Sequence, residues 1–157
     1  MNSFFEKALL FCAILFLIGC SEKEALDHQM EMLCEQDGGS KVYEKVVLPA
    51  DMFDAEGYPF PGWRDRLGKV NRLSDEYLYL EEEKIIKNGN PFSGNGEGKL
   101  WRSQQKIVRR SDSKLLGEFV GYYRAGGDGR LWFGHPSSNY CPKGSGVPIE
   151  KQVFIKR

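Results

Sequence analysis

Hydrophobic residues recur along the chain with two different periods, and each period predicts a different element. Leu26, Met30 and Leu33 are spaced four and three positions apart, with Cys34 beside them, which places them on one face of a helix. Asp37-Gly38-Gly39 follows, and glycine readily adopts the left-handed conformation that ends many helices. The pattern therefore predicts an N-terminal helix that presents Cys34 in its last turn.

Alternation of apolar and polar residues predicts strands downstream of this helix. It is clearest over Lys114–Arg124, where both faces carry apolar side chains, as in a central strand covered on both sides. Gly117 and Gly121 alternate there with large residues, which indicates close approach of another backbone or strong curvature of the sheet. Further strands are predicted at 42–48, 76–87, 100–110 and 152–156, and the apolar run 131–133 would add a sixth.

Residues 49–68 follow neither period. Three prolines and three glycines lie there among aromatic residues, which predicts an ordered loop with one helical turn at Ala50–Asp54. Aromatic residues in such a loop usually cover the edge of a core, and the alternative is a ligand-stacking surface. The candidate binding residues are Trp63, Tyr58, Phe60, Asp128 and His135.

Composition indicates a globular protein with no electrostatic preference for a partner. Apolar residues make up 41% of the chain and charged residues 28%, and 22 basic residues balance 22 acidic ones. A neutral chain without a long basic block gives no reason to expect nucleic-acid binding. The expected fold is a single α+β domain over residues 25–157, in which the N-terminal helix is joined to a mainly antiparallel sheet of five or six strands.

The first twenty residues suggest how the protein is located. Lys7 is followed by the apolar run Ala8–Ile18, which is too short to span a bilayer but has the length of a signal-peptide core. Leu17-Ile18-Gly19-Cys20 resembles the lipobox of bacterial lipoprotein precursors. The resemblance implies that residues 1–19 are removed, that Cys20 carries acyl chains such as palmitate, and that residues 20–24 form a short tether. Ser21 after the cysteine implies transfer to the outer membrane of the cell envelope, with the domain on its periplasmic face or its surface.

Two further cysteines then form a natural pair. Cys12 belongs to the signal peptide and Cys20 to the lipid anchor, so Cys34 and Cys141 are left in an oxidising compartment, where a disulfide is expected. The alternative is two buried free thiols or half of a metal site. The chain has only two histidines and no CxxC motif, so no metal and no cofactor are predicted.

The segment from Asp128 to Cys141 is the strongest candidate for an active site. It contains His135, Ser137 and Ser138, which could serve a small envelope hydrolase. No Gly-x-Ser-x-Gly elbow is present, and a histidine before a proline is typical of a loop. Residues 135–142 are accordingly predicted to be irregular. The run Glu81–Glu83 alternates between the faces of a strand and is interpreted as a solvated edge strand.

The leading hypothesis for function is a non-enzymatic binding module held at the membrane, which binds an envelope protein or a wall component. The hydrolase is one alternative, and an exclusion or immunity lipoprotein of a mobile element is another. Ser93-Gly94 and Lys143-Gly144 are similar to the signature loops of periplasmic lysozyme inhibitors, which adds a third. The pattern from Gly126-Gly127-Asp128 to Cys141-Pro142 resembles a group of small envelope lipoproteins and implies no particular activity.

Overall fold

A computed structural model of the chain describes residues 22–63, 73–129, 134–144 and 146–157. The predicted signal peptide at residues 1–19, the predicted lipid-bearing Cys20 and the run 131–133 lie outside the described residues. The helices are α1 (Glu22–Asp37) and α2 (Ile149–Val153), and a 3-10 turn covers Ala50–Met52. The strands are β1 (Gly39–Val42), β2 (Val46–Leu48), β3 (Tyr77–Lys87), β4 (Lys99–Arg109), β5 (Lys114–Ala125), β6 (Ser138–Cys141) and β7 (Phe154–Lys156).

Strand β5 is the centre of a five-stranded antiparallel sheet. Its order is β1-β5-β4-β3, and β6 pairs with β5 beyond the end of β1. Strands β2 and β7 form a separate parallel pair. The α+β prediction is confirmed, including the central place of Lys114–Arg124 and the edge position of β3, where Glu81–Glu83 are exposed.

Three local predictions differ from the structure. The expected strand 42–48 is divided between two sheets, because the amides of Tyr43 and Glu44 both donate to the carbonyl of Leu116 (2.8 and 3.0 Å) and the chain turns away there. Residues 138–141 form β6 rather than an irregular segment. The helix begins at Glu22, before the expected start at Ala25, because its first turn is held by contacts with the loops at Gly98 and Gly127.

The two faces of β5 bury two different clusters. One face packs against the Leu26, Met30 and Cys34 side of α1. The other packs against α2 and the β2–β7 pair, where a Cβ on Gly117 would lie 2.6 Å from Val153 Cγ2. The pairing of β4 with β5 shifts register between Ile107 and Val108, and this bulge places Leu116 in the cluster of α2.

The disulfide predicted between Cys34 and Cys141 is present. Its Cα atoms are 6.0 Å apart, and it joins the last turn of α1 to β6. Among the described residues, neither helix has the length and apolar character needed to cross a membrane.

Candidate functional site: an aromatic stripe on the sheet

A row of four side chains crosses the sheet from β3 to β6. Ile85 is paired with Trp101, Trp101 with Tyr123, and Tyr123 with Tyr140, each on a neighbouring antiparallel strand. Residues directly opposite each other on antiparallel strands project from the same face of a sheet. The four side chains therefore form a row about 14 Å long, which corresponds to three inter-strand spacings. We call this row the aromatic stripe.

The aromatic stripe is accessible from solvent and partly preorganised. Ile85 is 53% exposed and Tyr140 47% exposed, while Trp101 and Tyr123 are half-buried. The rings of Trp101 and Tyr123 stack, with centroids 5.6 Å apart and planes 18° from parallel. Because these two rings already hold each other in place, contact with a ligand costs them little further side-chain entropy.

Among the described residues, no helix covers this half of the sheet. Helix α1 packs on the opposite face, and α2 packs beside Gly117, so neither described helix lies over the aromatic stripe. Gly121 lies between the two halves of this face. A Cβ on it would lie 3.1 Å from carbon atoms of both the Phe119 and the Tyr123 rings, so the absence of a side chain lets both rings lie over the strand.

Charged groups of both signs border the aromatic stripe. Lys99 Nζ lies 5.4 Å from the centroid of the Trp101 ring, and Lys143 Nζ lies 5.2 Å from that of Tyr140. Burial raises the pKa of Tyr123, and the negative charges of Glu81 and Glu83 raise it further. The phenol of Tyr123 is therefore a neutral hydrogen-bond donor at neutral pH, beside ammonium donors and carboxylate acceptors.

A cavity of about 420 Å³ lies beside the aromatic stripe on the same face. Phe119 belongs to its wall and also flanks Gly121, on whose other side lies the ring of Tyr123, so the cavity and the stripe are neighbours. Its remaining walls are mostly apolar. They also include Glu150, an acidic residue that is buried. The lining residues are Trp63, Tyr79, Gln105, Phe119, Val147, Pro148, Ile149 and Glu150, together with Gly146.

The five candidate residues from the sequence do not form one surface. Trp63, only 3% exposed, packs against Tyr79 and lines the cavity. Phe60 is buried against Tyr77 and Phe154, so its ring belongs to the core. Tyr58 is half-buried beneath Lys151 Nζ, which lies 3.7 Å from the centroid of its ring.

Asp128 belongs to a polar cluster apart from those aromatic residues. The Ser137 hydroxyl donates to Asp128 Oδ1 (2.6 Å) and accepts from Arg124 Nη1 (2.7 Å). A hydroxyl has one proton to donate, so in this arrangement the proton of Ser137 is directed at a carboxylate rather than at a histidine base. Burial would raise the pKa of Asp128, but the hydrogen bonds from Ser137 and the positive charges of Lys23 and Arg124 outweigh it and lower that pKa. His135 is exposed.

The described residues contain no group of three or more histidine, cysteine or acidic side chains placed to hold a metal ion. Sequence reasoning missed all four members of the aromatic stripe as site residues, namely Ile85, Trp101, Tyr123 and Tyr140. The sequence contains one signal that predicts the pairing of two stripe residues. The turn at Ser111-Asp112-Ser113 lies midway between Trp101 and Tyr123 in the chain, so a tight hairpin there pairs the two residues.

Comparison with known proteins identifies no relatives. No protein-family model, no curated protein and no solved structure matches the chain. The lipobox resemblance of Leu17–Cys20 thus stays a prediction from the sequence, and the candidate site is defined by its geometry alone.

Proposed function

We propose that the chain is a lipid-anchored protein of the bacterial cell envelope, and that its domain binds a glycan strand of the envelope without catalysing a reaction. The observation that carries this proposal is the aromatic stripe, a row of side chains from four strands that faces solvent beside a cavity. The anchor is Cys20, through its resemblance to a lipobox cysteine.

The chemistry of the stripe fits a sugar chain. The faces of aromatic rings are electron-rich, and the C–H groups on the face of a sugar ring pack favourably on them. The hydroxyl and amide groups at the edge of a sugar need donors and acceptors, which Lys99, Lys143, Glu81 and Glu83 supply along both sides of the row. Aromatic and charged groups are thus arranged for a ligand that has an apolar face and polar edges.

The shape of the stripe favours a linear ligand over a folded protein. The stripe is one residue wide, and the adjacent row consists of Glu83, Ser103 and Gly121. A stable protein interface buries about 800 Å² on each partner, which is more than four partly buried side chains provide. A strand of sugar rings needs only a narrow row of contacts.

The hydrogen bonds of Ser137 argue against a hydrolase. Its hydroxyl proton is directed at Asp128, and its oxygen accepts from the guanidinium of Arg124. A serine nucleophile needs a base that takes its proton, and the carboxyl of Asp128, whose pKa is lowered, is a poor base at neutral pH. We assign this cluster to the stability of the fold.

Binding to purified wall glycan tests the proposal. The mature protein should sediment with isolated wall sacculi and should bind soluble peptide-free glycan fragments from them. We expect Tyr140→Ala and Trp101→Ala to weaken binding about tenfold each, which corresponds to about 1.4 kcal/mol. Tyr43→Ala is the matched control, because Tyr43 is exposed to a similar extent as Tyr140. Its hydroxyl donates to Glu118, which lies on the face of β5 opposite to that of Tyr123.

Two results would contradict the proposal. Unchanged glycan binding in both stripe variants would remove the assignment of the site. Failure of the wild-type protein to bind glycan, with capture of an envelope protein that depends on Tyr140, would replace the glycan with a protein partner.

Mass spectrometry of the mature protein from membranes tests the anchor. We expect a chain that begins at Cys20 and carries acyl chains on that residue. An unmodified N-terminus, or a chain that retains residues 1–19, would contradict it.

A further inference from the structure

Phe92 is 81% exposed at the tip of the loop that joins β3 to β4. The loop has defined turns that present this ring. Asn90 accepts hydrogen bonds from the amides of Phe92 (3.1 Å, to its side chain) and Ser93 (3.0 Å, to its backbone carbonyl), and the Ser93 carbonyl accepts from Gly96 N (2.9 Å). The ring is therefore held outward on an ordered support.

This loop is attached to the first turn of α1. Glu22 Oε2 accepts from the amide of Gly98 (3.0 Å), and Glu22 also pairs with Lys87. The amide of Lys23 donates to the carbonyl of Gly127 (3.0 Å), and the amide of Gly127 donates to the carbonyl of Gly96 (2.9 Å). The start of α1 and the loop that carries Phe92 thus lie at the same end of the domain.

The proposed lipid anchor would lie at this end as well. Cys20 precedes Glu22 by two residues, and two extended residues span at most about 7 Å. Acyl chains on Cys20 would hold the start of α1 at the membrane surface, and the loop that carries Phe92 with it.

We infer that Phe92 inserts into the interface of the membrane that carries the acyl chains of Cys20, as a second contact that orients the domain. The inference rests on the proposed lipid anchor. The ring contacts the apolar part of the bilayer, and no particular headgroup charge is required. The two nearby lysines are already in ion pairs, Lys87 with Glu22 and Lys23 with Asp128, so they are not expected to bind anionic headgroups. An interfacial aromatic ring beside a lipid anchor gives the sheet a defined direction relative to the membrane.

Depth-dependent quenching tests this contact. The lipidated full-length mature protein, with a cysteine at position 92 (Phe92→Cys) carrying an environment-sensitive fluorophore, is reconstituted into phosphatidylcholine vesicles that contain lipids with a quencher on the acyl chain. The matched control is Val47→Cys with the same label. Val47 is also exposed, but it lies in the β2–β7 pair, which packs in the core cluster of α2 rather than in that of α1. We expect several-fold stronger quenching and a blue-shifted emission at position 92, unchanged when anionic phosphatidylglycerol is added.

The outcomes separate the two proposals. Equal quenching at positions 92 and 47 in protein that floats with the vesicles would overturn the insertion of Phe92 and leave the anchor intact. Quenching at position 92 only with anionic lipid would overturn the apolar contact. Protein that does not float with the vesicles would overturn the anchor and, with it, this inference.

Discussion

Arg124 and Asp27 form a bidentate ion pair that joins β5 to α1. Arg124 Nε lies 2.8 Å from Asp27 Oδ1, and Nη2 lies 3.2 Å from Oδ2. Arg124 is only 2% exposed, and its Nη1 also donates to the carbonyls of Gly126 (2.8 Å) and Ser137 (2.9 Å). A buried charge is tolerated only when it is paired and hydrogen-bonded, so this residue connects the helix, the central strand and the following loop.

Replacing Arg124 with methionine should be strongly destabilising. It removes the cation that pairs with Asp27 and the guanidinium that donates to the carbonyls of Gly126 and Ser137. Asp27 keeps the hydrogen bond from Asn139 but loses its bidentate partner, and we expect a loss of about 3 kcal/mol in the free energy of unfolding, measured by urea denaturation. Lys106→Met is the control, because Lys106 pairs with the exposed Glu82 at 3.6 Å, and an exposed pair contributes about 0.5 kcal/mol. Equal losses in the two variants would show that the buried pair has no special role.

Acid should weaken the attachment of α1 at Asp37. Burial would raise the pKa of Asp37, but hydrogen bonds from Tyr122 (2.6 Å) and Arg102 (3.0 Å), with the charge of Arg102, outweigh it and lower that pKa below 3.8. A carboxyl whose pKa is lowered by folding stabilises the fold above its unfolded pKa, and this contribution is lost as the pH falls through the folded value.

The thermal midpoint as a function of pH measures this effect. The wild-type midpoint should fall as the pH drops below 3.8, and Asp37→Asn should lower it at neutral pH and flatten the acid decline. Asp51→Asn, which changes an exposed carboxylate in the 3-10 turn, is the control. An acid decline of the same size in Asp37→Asn and wild type would contradict the assignment.

Removing the disulfide should cost more than any single surface change. Cys34 and Cys141 are 107 positions apart, and the chain-entropy model assigns a closed loop of this length about 4–5 kcal/mol. Urea denaturation of the Cys34→Ala, Cys141→Ala double variant, compared with wild type without reductant, measures this difference. A double variant that unfolds at the wild-type urea concentration would contradict the prediction.

Gly117 should not tolerate a side chain. A Cβ there would lie 2.6 Å from Val153 Cγ2 and 3.2 Å from the carbonyl of Lys41, so helix α2 or β1 must shift. We expect Gly117→Ala to lower the free energy of unfolding by about 1–3 kcal/mol. The same change at Gly94, where a Cβ meets nothing within 4 Å, is the control and should leave stability nearly unchanged.

The parts of the fold that could be predicted depend on neighbours in the chain. Spacing within one helix indicates the apolar face of Leu26 and Met30, and alternation within one strand identifies β5 as central. The burial of Arg124 could not be predicted in this way. An arginine at the end of an alternating pattern is ordinarily exposed, and its burial is favourable here because the carboxylate of Asp27, distant in sequence, and the carbonyls of Gly126 and Ser137 accept its hydrogen bonds.

The same difference separates the two sets of candidate site residues. For the aromatic residues of the proline-rich loop, the sequence favoured cover of a core edge and left a binding surface as the alternative. Packing against Tyr79 and Phe154 buries Trp63 and Phe60, which agrees with the first interpretation. The aromatic stripe brings together residues from four strands, and their alignment depends on the register of three strand pairs.

By itself, the sequence determined the α+β class, the central strand and the Cys34–Cys141 pair. Period, turn residues and the small number of cysteines are local or countable properties, and they suffice for these features. Only the tertiary structure decided which polar groups are buried, where β1 leaves the sheet, and which side chains form the aromatic stripe. Those features depend on register and packing between distant segments, because a shift of one residue in a strand moves every side chain to the opposite face.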